Sequence, residues 1–219
     1  MKYLKDFHLE IRPETPGAPF ALVNRAIINA AIEFCDRTLT WRKCVDAQGV
    51  RAGQSTYDLD VPSTARVAHV MYVGHDGVRV GPINEHNLDT DSDLEGWRDT
   101  DNQSDTAEGF YLPDRKTIRL VLTPATTVAG GLEVFCALKP RVDVTQLPDV
   151  LYDDHLEAIG NGAKARLLSM SKVPWADMTM AGVYSDLFDQ AKRKERAERL
   201  NDYTRESDLT IRPPNYFAG

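Results

Sequence analysis

Apolar positions recur along this chain in two rhythms, and the changes between them divide it into parts. Residues 1–18 are polar and hold Pro13, Pro16 and Gly17, which reads as an extended arm leading into a helix. Pro19 suits the first turn of that helix, where its missing N–H would have no partner. Val23, Ile27, Ala30, Ala31 and Phe34 then fall on one helical face, and Ile28, Ile32 and Cys35 widen it into a stripe that requires burial on a broad front. Near Thr38 the period drops to two. RTLTWRKCV sets Leu39, Trp41 and Lys43 on one side of a strand and Thr40, Arg42 and Cys44 on the other. QSTYDLDVP, RVAHVMYVG, VRVGPI, GFYLP, TIRLVLTP and GLEVFCALKP follow, rich in Val, Tyr, Leu and Ile and divided by Gly, Pro and Asp, as short strands are. HDG at 75–77 and PDRK at 113–116 have hairpin-turn chemistry.

The helical rhythm returns at Leu147. Pro148 opens a helix, and Asp149, Asp153 and Asp154 lie near the positive end of its dipole. Tyr152, Leu156, Ile159, Ala163, Leu167 and Met170 share one face. Pro174 stops the run, because it disfavours helix at Val173 and removes a donor. A second helix is predicted from Asp177, a suitable N-cap, with Met180, Tyr184, Leu187, Phe188 and Ala191 turned inward. So short a connection makes the pair antiparallel, with Trp175 fixing the turn. Gly160, Gly162 and Ala163 are marked as helix-packing positions: a helical Gly costs about 1 kcal/mol relative to Ala, and such residues fit where a second backbone approaches closely.

The expected architecture is therefore α+β: an antiparallel helical bundle of N-terminal helix plus C-terminal helical hairpin, with an inserted antiparallel β module that protrudes, and an extended C-terminal tail. The divisions fall at 1–41 (arm and helix), 42–146 (β-rich module), 147–200 (helical hairpin) and 201–219 (tail).

Composition narrows the function. A chain of 219 residues can bury a full core. Its three cysteines, Cys35, Cys44 and Cys136, are scattered and lack CxxC spacing, which argues against a disulfide framework or a zinc site. A net charge of −7 opposes general wrapping of nucleic acid. No apolar run approaches the roughly eighteen residues of a membrane span, and MKYLKDFHLEIRPE lacks a signal-peptide core, so a soluble protein that is not exported is expected. The acidic loop DTDSDLEGWRDTDNQSD, residues 89–105, fails as an EF-hand: Leu94 stands where Gly is needed and Thr100 where Glu is needed. It reads as a solvated loop anchored by Trp97. His8, His69, His75, His86 and His155 are dispersed and read as surface or capping residues. There is no GxSxG, Walker loop or strand-borne GxGxxG, and GNGA at 160–163 lies within a helix pattern. QAKRKERAER at 190–199 is basic but interrupted. Its Lys194–Glu198 and Glu195–Arg199 pairs have the spacing of a solvated helix face, about 0.2–0.5 kcal/mol per pair. No catalytic residue, metal ligand or cofactor is assigned.

AAIEFCDRTLTWR at 30–42, Trp97-Arg98 ahead of FYLPDRKTIRLVLTP, ALKP at 137–140, and LPDVLYDDHLEAIGNGAKARLLSMSKVPW at 147–175 resemble, in order and spacing, the head-to-tail adaptor proteins of tailed bacteriophages (connector, tail tubular protein A-like). The resemblance runs from about Pro19 to Leu200, and the long acidic loop departs from it. It implies a non-enzymatic virion protein at the head-tail interface, assembled in the host cytoplasm. Such a protein forms a dodecameric ring beneath the portal protein, meets a tail or nozzle protein, and lets genomic DNA pass without sequence-specific binding or contact with a membrane. The acidic charge and the small helical residues suit such a ring. The tail DLTIRPPNYF adds to this. Leu209 and Ile211 alternate as in a strand, and Arg212, two prolines, Tyr216 and Phe217 follow outside any segment that could bury them. These five side chains are expected to bind the portal or a neighbouring subunit, the strand joining a sheet edge and the aromatics acting as anchors. The competing expectation is a non-enzymatic protein-binding module that uses the β domain.

Overall fold

The computed structural model describes residues 1–88, 96–99 and 101–200. A short strand, β1 (Lys2–Tyr3), runs into a 3₁₀ turn (Leu4–Phe7) and α1 (His8–Ile11), and then α2 (Phe20–Thr38). β2 (Arg42–Val50), β3 (Thr56–Asp58), β4 (Ala65–His75) and β5 (Val78–Val80) follow. After α3 (Glu85–Leu88) come β6 (Gln103–Ser104), β7 (Gly109–Tyr111), β8 (Thr117–Val121), β9 (Thr123–Pro124), β10 (Val128–Pro140) and β11 (Gln146–Leu147). The described chain closes with α4 (Asp149–Asp153), α5 (Leu156–Leu168) and α6 (Met178–Leu200). The strands form a four-stranded antiparallel sheet in the order β2-β10-β4-β5, a three-stranded antiparallel sheet β3-β8-β7, and the small pairs β1-β11 and β6-β9.

The expected helical bundle with an inserted, protruding β module is overturned. The chain is a mixed α/β fold with extensive antiparallel sheet and a β-rich core. The reason is legible in β10. Around Leu132 to Phe135 burial alternates, as in a strand with one wet face; from Cys136 to Pro140 every residue is buried. The second face of that stretch is covered by α2, and Lys139 reaches from β10 to Asp36 at 2.5 Å. Two large apolar clusters result. One unites the helices around Phe7, Ile27, Phe34, Ile159, Leu167 and Phe188. The other fills the sheets around Val45, Val73, Ile118, Leu120, Val134 and Leu138. Trp41 packs against both.

The local chemistry explains the elements. Asp76 and Gly77 take φ of 49° and 77°, the left-handed pair of a two-residue hairpin joining β4 to β5. His75, 1% exposed, ends β4, and its Nδ1 accepts the Ala107 N–H at 3.1 Å. In the second hairpin Asp114 Oδ1 accepts the N–H groups of Lys116 and Thr117 at 2.6 and 2.8 Å, and these bonds hold its carboxyl below the usual carboxylate range. α2 starts after Pro19 and runs to Thr38, so the strand expected from Thr38 begins only at Arg42; Leu39 (φ 57°) makes the left-handed stop between them. Asp177 Oδ1 accepts the N–H groups of Thr179 and Met180 at 3.0 Å and caps α6.

Three further expectations change. The N-terminal arm is not extended: Leu4, Phe7 and Ile11 turn into the helical core from a 3₁₀ turn and α1. The single helix expected from Pro148 to Met170 is two, because Asp154 and His155 break it between α4 and α5. That break lets Leu151 enter the core and lays the His155 ring on Phe34, centroids 4.8 Å apart. Leu187, expected inward, is 40% exposed. Trp97 is buried with Leu88, Tyr111 and Val121, and the guanidinium groups of Arg98 and Arg119 lie 4.2 and 5.0 Å from its ring centroid. Residues 89–95 and 100 of the acidic loop lie outside the described residues.

Phe188 is 3% exposed and faces Phe34 with ring centroids 6.2 Å apart. Replacing Phe188 with Ala is expected to lower the free energy of unfolding by about 3–5 kcal/mol, the usual range for a deleted core aromatic. Urea titration measures this, and an unchanged midpoint would remove α6 from the core.

Candidate functional site

The helix-packing positions lie in α5. Gly162 faces α2 and α6: a Cβ there would come within 3.0 Å of both Ala30 Cβ and the Phe188 ring. At Gly160 a Cβ would stand 2.5 Å from Glu10 Cγ, and Lys164 Nζ donates to Glu10 Oε1 at 2.9 Å. Ala163 is fully buried, and Trp175 packs half-buried against the helical core. Glu33 of α2 joins the same three helices through ionic contacts with Arg166 of α5 and Lys192 of α6. Arg166 Nη1 also donates to the Gly162 carbonyl at 2.6 Å, so one residue links the ion pair to the close backbone approach.

A second polar cluster fixes the end of α6. Glu195 and Arg199 are each 7% exposed, with Arg199 Nε donating to Glu195 Oε1 at 2.7 Å. Thr40 Oγ1 donates to the same carboxylate oxygen at 2.8 Å, and His155 Nε2 lies 3.5 Å from it. Arg42 Nη2, at the start of β2, donates to the Arg199 carbonyl at 2.9 Å. The helix is thereby tied to the loop after α2, to α5 and to the sheet. The solvated face expected for Glu195 and Arg199 is thus corrected. Phe188, Ala191, Glu195 and Arg199 continue one inward stripe at spacings of three and four, a signal that the charges of the last two concealed. Lys194 and Glu198, 4.0 Å apart, do lie on the exposed side. Burial pushes the His155 pKa below its ordinary value of 6.5, against the opposing pull of Glu195. His75 is shifted down in the same way, again by burial.

Two surface grooves are of similar size. One, of about 830 Å³, lies between the end of β3, the hairpin at 112–116 and the segment after β10. It gathers Arg66, Arg115, Lys116 and Arg141 around two carboxylates, Asp58 and Asp114. The other, of about 820 Å³, runs between α5 and α6 over Phe34 and carries Asp154, Glu157, Glu195 and Glu198 with Lys194. Neither was legible beforehand, because each is built from segments distant in the sequence. The expected partner-binding residues Leu209, Ile211, Arg212, Tyr216 and Phe217 lie outside the described residues.

Cys35 and Cys136 are buried; desolvation raises both thiols, Cys136 to about 12, which keeps them protonated. Among the described residues no group of three or more His, Cys, Asp or Glu side chains could hold a metal ion. No helix among them is long and apolar enough to cross a membrane.

The chain matches the model of the SU10 adaptor protein family over residues 5–212 and belongs to that family of phage head-tail adaptors. It is a structural phage protein of the virion's head-tail junction that works in contact with other virion proteins. No curated protein matches it.

The two pairs at the same helical spacing should respond differently to truncation. Glu195→Ala removes the buried carboxylate that Arg199, Thr40 and His155 share, and is expected to cost about 3–5 kcal/mol. Lys194→Ala removes an exposed pair and is expected to cost less than about 0.5 kcal/mol. Denaturant titration of both variants distinguishes them, and equal effects would contradict the buried cluster. The histidines set a pH dependence. Because His75 and His155 bind protons less readily folded than unfolded, their contribution is complete above the ordinary value of 6.5 and lost as pH falls from there through their lowered folded values. The melting temperature should therefore drop below that pH, and His155→Gln should reduce the drop.

Proposed function

We propose that this adaptor assembles as a ring beneath the portal, joins the capsid to the tail, and leaves a passage through which genomic DNA moves without sequence-specific binding. The match to the adaptor family across residues 5–212 carries this reading. A net charge of −7 is consistent with a wall that DNA slides past, since most of such a surface repels phosphate. Copies of one chain arranged head to tail close into a ring when the rotation between them closes.

The attachment to the portal or a neighbouring subunit is assigned to the C-terminal segment. Its launching point supports this: Arg42 and Glu195 hold the last turn of α6, so the segment starts from a fixed place on the body. Leu209 and Ile211 supply strand alternation, Arg212 a charge, and Tyr216 and Phe217 aromatic anchors. The prolines confine the strand to the residues before them.

Deleting residues 203–219 should leave the melting temperature nearly unchanged and abolish attachment to portal-bearing heads. Pull-down on purified heads measures attachment, and electron microscopy of the loaded heads reports whether a ring is present. Full attachment of the truncated protein would sink the assignment of the tail. Monomers scattered on the heads without a ring would sink the proposed assembly.

A further inference from the structure

The two grooves have similar volumes and opposite charge. In the first, four cations stand against two carboxylates; in the second, Asp154, Glu157 and Glu198 stand against Lys194, the fourth carboxylate, Glu195, being buried against Arg199. Each has an exposed aliphatic side chain among its lining residues: Val142, 64% exposed, in the basic groove and Leu187, 40% exposed, in the acidic one. On a chain of net charge −7 a groove dominated by arginine and lysine is unusual, and an acidic groove of matching size is present on the same chain.

We infer that the basic groove of one copy receives the acidic α5–α6 edge of the next, Arg115 and Lys116 facing Glu157 and Glu198, with Val142 and Leu187 in the apolar part of the contact. This rests on the reading of the chain as an adaptor that assembles with itself, and it adds which surfaces meet. The contact is heterologous, because two different faces of the chain meet. It therefore propagates around a ring instead of stopping at a two-fold dimer. Charge complementarity of this kind orients partners and suppresses wrong registers.

Two double variants reverse one groove each: Arg115→Glu with Lys116→Glu, and Glu157→Lys with Glu198→Lys. All four side chains are exposed, so both variants should fold, which thermal melting verifies. Self-association is read by sedimentation, and loading by the amount retained on portal-bearing heads. Each variant alone should associate at least about tenfold more weakly than the unaltered protein, since like charges then face each other. An equimolar mixture should recover association, because the reversed basic groove of one variant meets the reversed acidic edge of the other, and the two native faces also meet. Variants that assemble like the unaltered protein, or a mixture no better than its components, overturn the pairing. If the variants lose binding to duplex DNA in a mobility-shift assay while association is unchanged, that also overturns it, in favour of a nucleic-acid contact. If the unaltered protein loads onto heads while the variants load equally well, the pairing fails and the adaptor reading stands. If the unaltered protein neither self-associates nor loads, both fail.

Discussion

The burial of α2 on two sides is the constraint on which the rest of the structure depends. Its broad stripe cannot be satisfied by the helices alone, so one flank packs on α5 and α6 and the other covers β10. Each large side chain it buries contributes about 1.5–3 kcal/mol, enough to hold two cores in one body. The polar groups on and just beyond the helix then aim those neighbours. Glu33 takes Arg166 and Lys192, Asp36 takes Lys139 of the sheet, and Thr40 takes the carboxylate of Glu195. Hydrophobic area supplies the attraction, and these few charged contacts fix its register.

Features determined within a few residues were legible in the sequence. The start of α6 at Asp177, the two hairpin turns, and the core roles of Ile159, Leu167 and Phe188 follow from local chemistry and spacing. What depended on a distant partner was not. The second half of β10 looks like any short strand until α2 is laid across it, so the sheet read as a protruding module. Glu195 and Arg199 read as solvated because charge is normally solvated; the threonine that accompanies them is 155 positions from Glu195. The break at His155 has no proline or glycine to announce it. The basic groove is assembled from segments far apart in the chain, and the acidic one opens only once α5, α6 and Phe34 of α2 are packed together.

The molecule keeps its apolar cores apart from its charged surfaces. The cores use aliphatic and aromatic residues with thiols kept protonated by burial. The outer surfaces carry the charge asymmetry. Nothing about this division requires a reactive group, and it suits a structural member of the SU10 adaptor family.

The clamp on the last turn of α6 has a mechanical meaning. A helix terminus held only by its own ladder frays one bond at a time, so a pull on the following segment would peel it open. Here Arg42 grips the Arg199 carbonyl from the first residue of β2, and β2 pairs with β10 along most of its length. A pull on the last turn of α6 would therefore be passed to the central sheet as well as to the helix's own ladder. The described end of α6 is thereby anchored to the sheet.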